Sequence, residues 1–169
     1  MDATLVTKIL AKIGYVLLNV QSTERVIKRV MKIAMPHESD YLVALSERLA
    51  SKDMDRPLGA FLTELRKRAE LNSQVDVLFK RFLLRRNVFI HDISKPKGWT
   101  LKTKEGLLVI NSQLEELLAD STAVRTHFLA LLYSWKVQGE MEPTKEEDEA
   151  FRAITAKYEG GVLSRKWGE

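Results

Sequence analysis

From Leu107 to Trp135 apolar side chains recur at alternating steps of three and four: Leu107, Ile110, Leu114, Leu117, Val124, Phe128, Leu131 and Trp135, with Ser121 in the one seat that is not apolar. Such spacing lines up on one stripe only in a helix, and it predicts one of about 30 residues, roughly 45 Å long. A seam of this kind serves core packing more often than an interface between chains.

The remainder is read around that helix. Residues 3–35 place Leu5, Ile9, Ile13, Val16, Leu17, Val20, Val26, Ile27 and Val30 at helical spacing, closed by Pro36. This is one long helix, or two with a break near Gln21-Ser22-Thr23. A second helix is expected from Ser39 or Asp40 to Ala50. Pro57 suits the first turn of a third, with Leu58, Phe61, Leu62 and Leu65 as its stripe up to about Ala69. Ser73 and Asp76 resemble a capping box for a helix ending near Ile93. Residues 99–110 allow a small β-hairpin, since Trp99, Leu101 and Val109 suit strands and Gly106 a turn. Thr144 with Glu147 marks another capped start, and Gly160-Gly161 ends that short helix near Tyr158 and leaves a tail. The fold class is all-α: a bundle of long helices over residues 1–140, followed by a short C-terminal helix and tail over 141–169.

Composition narrows the function. Of 169 residues 45% are hydrophobic and 30% charged, as in a globule. Cys is absent, so disulfides, thiolate nucleophiles and Cys-type zinc sites are ruled out. No continuous apolar run approaches the ~20 residues of a membrane span, and Met1-Asp2-Ala3 lacks the layout of a signal peptide. The expectation is a cytoplasmic protein away from the membrane. Lys plus Arg against Asp plus Glu is 11 to 6 over residues 51–100 and 5 to 10 over 101–150. That asymmetry points to an anionic partner near 66–97 or to complementary faces between two chains. The acidic stretch from Glu140 to Glu149 is a candidate mask for the basic patch.

There are three histidines. His37 lies in a loop with no ligand spacing, and His127, one step off the heptad seam, is expected at the surface or boundary. No glycine-rich phosphate loop and no His-x-x-x-His pair occurs, so no metal or other cofactor is expected. His91 stands apart because of its company, Arg85-Arg86-Asn87-Val88-Phe89-Ile90-His91-Asp92. On a helix, Asn87, Lys80 and His91 fall within about 40° of one another. The apolar residues form two arcs, so this helix should contact its own bundle and a second surface. Arg86 sits within the larger arc, where a permanent charge needs an anionic companion. That companion is either a ligand or an internal carboxylate such as Asp92, Glu64 or Asp76. Asn87 and His91 equally suit a helix C-terminus.

Arg86-Asn87-x-x-x-His91, late in a helix of an all-α chain, resembles the Arg-x(4–6)-His motif of the HEPN superfamily, in the form with Asn after Arg found in its ribonucleases. Asp55-Arg56-Pro57-Leu58-Gly59-Ala60-Phe61-Leu62 is similar to what precedes the motif in several bacterial members. The likeness covers roughly residues 1–137. It implies a HEPN-like four-helix bundle acting as a homodimeric, metal-independent endoribonuclease, with a toxin or phage-defence role and an antitoxin or other protein partner. It further implies that Arg86, Asn87 and His91 are catalytic. His91 would move protons, since imidazole alone in the motif titrates near neutrality, around ~6.5. Arg86 would hold the phosphate and Asn87 would orient the imidazole or the phosphate. Lys80, Arg81 and Arg85, with Arg66, Lys67 and Arg68, are candidates for tracking RNA. A non-catalytic helical dimer binding nucleic acid, nucleotide or protein is the alternative.

Overall fold

The computed structural model describes residues 3–34, 58–59, 63, 69–93, 96–157 and 163–165. Its helices are α1 (Ala3–Ala34), α2 (Ser73–His91), α3 (Lys104–Gln138) and α4 (Lys145–Lys157). Two three-residue strands, β1 (Ala69–Leu71) and β2 (Leu163–Arg165), pair antiparallel with Ala69 opposite Arg165 and Leu71 opposite Leu163. The protein is an all-α helical bundle. The helix expected over 39–50 lies outside the described residues, as do Arg66, Lys67 and Arg68. Of the third expected helix, Leu58, Gly59 and Thr63 are helical, and the Thr63 hydroxyl donates to the Gly59 carbonyl at 3.0 Å.

The chain divides into two compact units, residues 1–23 with 78–124, and 24–77 with 125–169. In the first, Ile9, Val16 and Val20 of α1, Phe79, Phe82 and Phe89 of α2, and Leu107, Ile110, Leu114, Leu117 and Val124 of α3 are buried. The heptad seam is therefore a core seam. Its polar seat is matched from α1: the Ser121 hydroxyl donates to Thr23 Oγ1 at 2.9 Å, and both residues are fully buried. α1 passes through Gln21-Ser22-Thr23 without a break.

In the second unit Ile27 and Val30, Val75, Phe128 and Leu132, and Ala150 and Ile154 are buried, and Tyr133 stacks on Phe151 at 4.4 Å between ring centroids. Here α4 starts as its sequence predicts. The Thr144 N–H donates to Glu147 Oε2 at 2.7 Å, and the Glu147 N–H points back at Thr144 Oγ1 at 3.3 Å. Lys136 of α3 donates to the same carboxylate at 2.8 Å. Burial pushes the Glu147 carboxyl up, but the Lys136 and Thr144 hydrogen bonds outweigh it and leave its pKa below the ordinary value. His127 is 1% exposed, so it is a core residue and not the surface or boundary residue its register suggested.

Three local expectations change. The cap of α2 is Asn72 rather than Ser73: Asn72 Oδ1 accepts from the Gln74 N–H at 2.9 Å. The hairpin expected over 99–110 does not form, because Thr103 caps α3, its Oγ1 accepting from the Gly106 N–H at 3.1 Å. Gly106 serves close approach, not a turn: a Cβ there would fall 2.3 Å from the Thr100 carbonyl oxygen. The turn glycine is Gly98, at φ 84°.

The segment Ala3–Val30 also contains an 18-residue window of mean hydropathy 1.4, long and apolar enough by length and composition to cross a membrane although its apolar residues are not continuous. Ile9, Val16, Val20, Ile27 and Val30 of this segment are buried, while 17% of the window as a whole is.

Candidate functional site

α2 is the helix on which the candidate residues stand. Its inward side is anchored by Phe79 and Phe82, at 1% and 0% exposure, which fixes its rotation. Each such phenylalanine is worth roughly 1.5–3 kcal/mol in burial. A second anchor is ionic. Arg81 donates through Nε to both oxygens of Asp120 at 3.0 Å, and Arg85 Nη1 donates to Asp120 Oδ2 at 2.5 Å. Arg85 also pairs with Glu116. The Asp120 side chain is 3% exposed, so a buried carboxylate of α3 is held between two guanidinium groups of α2. The hydrogen bond to Asp120, reinforced by its charge, holds the Arg81 guanidinium above its ordinary pKa.

With rotation set this way, Arg86, Asn87 and His91 come together at the last turns of α2. Arg86 Nη1 donates to Asn87 Oδ1 at 3.0 Å and lies 3.4 Å from His91 Nε2, which accepts when that nitrogen carries no proton. Asn87 and His91 are exposed and Arg86 is half-buried. The bulky Phe89, 8% exposed, points inward and does not cover them. The guanidinium thus bridges the amide and the imidazole on a solvent-reachable face. A guanidinium is a donor group of the kind that binds oxyanions, and the imidazole stands beside it.

The other candidates divide. Lys80 is exposed on the strip of α2 that carries Asn87 and His91. Arg81 and Arg85, expected to track RNA, are instead committed to Asp120 and Glu116. Arg66 and Lys67 lie outside the described residues. Among the described residues no three His, Asp or Glu side chains group as metal ligands do.

Sequence reading missed Asp120 as the partner of the arginines. The available signal was an acid beside Ser121, at the edge of an otherwise apolar seam. It also missed a cavity of about 530 Å³ on the adjoining side of α2, between that helix, the turn through Pro96 and Trp99, and α3. Trp99, which suits a strand by propensity, instead donates its indole N–H to Gln113 Oε1 of α3.

No family model, no curated protein and no solved structure matches the chain.

Proposed function

We propose that this protein is a metal-independent endoribonuclease of the HEPN type that cuts RNA by attack of a ribose 2′-hydroxyl on the neighbouring phosphorus. The observation that carries the reading is the contact of one guanidinium with both Asn87 and His91 on an exposed helix face. In this mechanism His91 removes the 2′-hydroxyl proton or supplies one to the departing 5′-oxygen, and the product ends in a 2′,3′-cyclic phosphate. Arg86 binds the phosphate through paired N–H donors and offsets the charge that builds up in the transition state. Asn87 orients Arg86 through its 3.0 Å hydrogen bond. Each chain brings one imidazole to the motif, so a two-fold dimer supplies both an acid and a base. Action as a toxin or phage-defence effector with a neutralising protein partner belongs to the same proposal.

The experiment is cleavage of a labelled unstructured RNA in EDTA by purified protein, with the cyclic phosphate identified at the new end. His91→Ala abolishes cleavage while the protein stays folded. Cleavage that survives His91→Ala, or that needs Mg²⁺, overturns the mechanism.

The alternative, a non-catalytic helical module with a protein or nucleic-acid partner, is favoured by one observation. On α1, Leu10, Tyr15 and Leu18 are 51%, 59% and 67% exposed, more apolar surface on one helix face than solvent alone accounts for.

A further inference from the structure

From Ala3 to Thr23 the charged residues of α1 are Lys8 and Lys12, and Lys12 is held by Asn111 and Glu115 of α3. The outward face over this stretch is formed by Leu10, Gly14 and Leu18, with Ala3, Thr7 and Ala11 beside them, all exposed. At 100° per residue these fall within about 100° of one another, roughly opposite the buried Ile9, Val16, Val20 and Ile27. A Cβ at Gly14 would have no neighbour within 4 Å, so the surface there is open. Tyr15, also exposed, stands at the edge of this face with a ring that is apolar in its body and polar at its tip. A helix that is apolar on both sides is normally enclosed by protein or by lipid. Here the window long and apolar enough to cross a bilayer lies within α1, yet little of it is buried.

The same face changes character along the helix. Gln21, Arg25 and Arg29 continue it toward the C-terminal end, and all three are exposed. Glu24, the one acid of α1, is half-buried. One outward stripe therefore runs from leucines to arginines. That order suits the boundary of an anionic bilayer, where the leucines enter the acyl region and the guanidinium groups meet lipid phosphates. A second copy of the chain is the weaker occupant. The apolar stretch is about 27 Å long and roughly 10 Å wide, which offers each partner well under the ~800 Å² of a stable interface. We propose that this outward face of α1 docks the protein on an anionic phospholipid membrane. The helix lies in the interface and does not cross it, because its other side stays packed in the core, with Thr23 bonded to Ser121. The inference does not depend on the ribonuclease reading.

The test uses the full chain and extruded vesicles of phosphatidylcholine, alone or with about 30% phosphatidylserine, in a co-sedimentation assay. The protein binds the mixed vesicles on the order of tenfold more tightly than the neutral ones, and added salt removes that difference. Leu10→Ser with Leu18→Ser lowers binding to both vesicles by on the order of tenfold. Arg25→Gln with Arg29→Gln brings binding to the mixed vesicles down to the neutral level. All four positions are exposed, and circular dichroism checks that each double variant keeps its helix content. The chain has no cysteine, so Leu18→Cys carrying an environment-sensitive dye gives a second reading: its emission shifts to the blue when mixed vesicles are added. Absence of binding to the mixed vesicles overturns the proposal, as does binding that survives both double variants. A dye that stays unshifted on vesicles that sediment the protein also overturns it. A blue shift that grows with protein concentration without vesicles assigns the face to a second copy and overturns it too.

Discussion

The hydroxyl of Ser121 donates a 2.9 Å hydrogen bond to the hydroxyl of Thr23, and both side chains have no exposure to solvent. Each is the polar interruption in its own helix's apolar stripe, and the two interruptions face each other. A buried hydroxyl without a partner costs about 1–3 kcal/mol. Thr23→Val or Ser121→Ala alone therefore destabilises by about that much, while the double variant recovers most of the loss. Urea unfolding of the four proteins in a double-mutant cycle measures the coupling.

The Asp120 clamp separates stability from nucleic-acid affinity. Asp120→Ala leaves two arginines that are 48% and 32% exposed in their side chains and can turn to solvent, so the expected loss is about 1–3 kcal/mol. Replacing Arg81 and Arg85 together by Gln strands a buried carboxylate, and the loss rises to about 3–5 kcal/mol in urea unfolding. On the ribonuclease reading, Arg81→Gln leaves the salt dependence of RNA binding unchanged. Lys80→Gln, on the motif's own face, reduces the slope of log K against log salt by about 1.

Glu147 makes the second unit sensitive to acid. Its pKa in the folded chain is below the ordinary value of 4.5, because the bonds from Lys136 and Thr144 outweigh burial. A carboxyl depressed by folding stabilises the native state fully above its unfolded pKa, and that contribution disappears as pH falls through the lower folded value. Glu147→Gln therefore unfolds at a lower temperature than wild type at pH 7, and the two melting curves converge as pH falls through the lowered folded value. Thermal melts followed by circular dichroism from pH 7 to pH 3 read this directly.

α3 ends in a strained residue. The Gly139 N–H closes on the Trp135 carbonyl at 2.9 Å, and the next residue, Glu140, takes the left-handed conformation at φ 56°. Glycine adopts that region without a Cβ clash, so Glu140→Gly stabilises by about 0.5–1 kcal/mol, less the entropy glycine gains in the unfolded chain. A rise in the melting temperature checks it.

Much of this was legible because helix signals are local. The three-and-four spacing of 107–135 gave α3 and its buried side, and Thr144 with Glu147 gave the start of α4. The 100° step from residue to residue put Asn87, Lys80 and His91 on one strip of α2. Neighbouring signals of equal strength were not resolved in this way. Asn72 and Ser73 both suit a cap, and Gly106 reads as a turn glycine until the Thr100 carbonyl is seen beside it.

The sequence by itself determined that the chain is helical, where its long helices run, and that Asn87, Lys80 and His91 share a strip of α2, because each follows from periodicity along a single segment. Only the tertiary structure decided that Arg81 and Arg85 hold Asp120 and that Arg86 meets Asn87 and His91, that Ser121 answers Thr23, that 69–71 pairs with 163–165, and that a cavity adjoins the motif. Those outcomes depend on which faces of distant segments meet. Arg81, Arg85 and Arg86 are alike in type and differ only in direction, and Asp120 can discriminate among them only once α3 lies against α2.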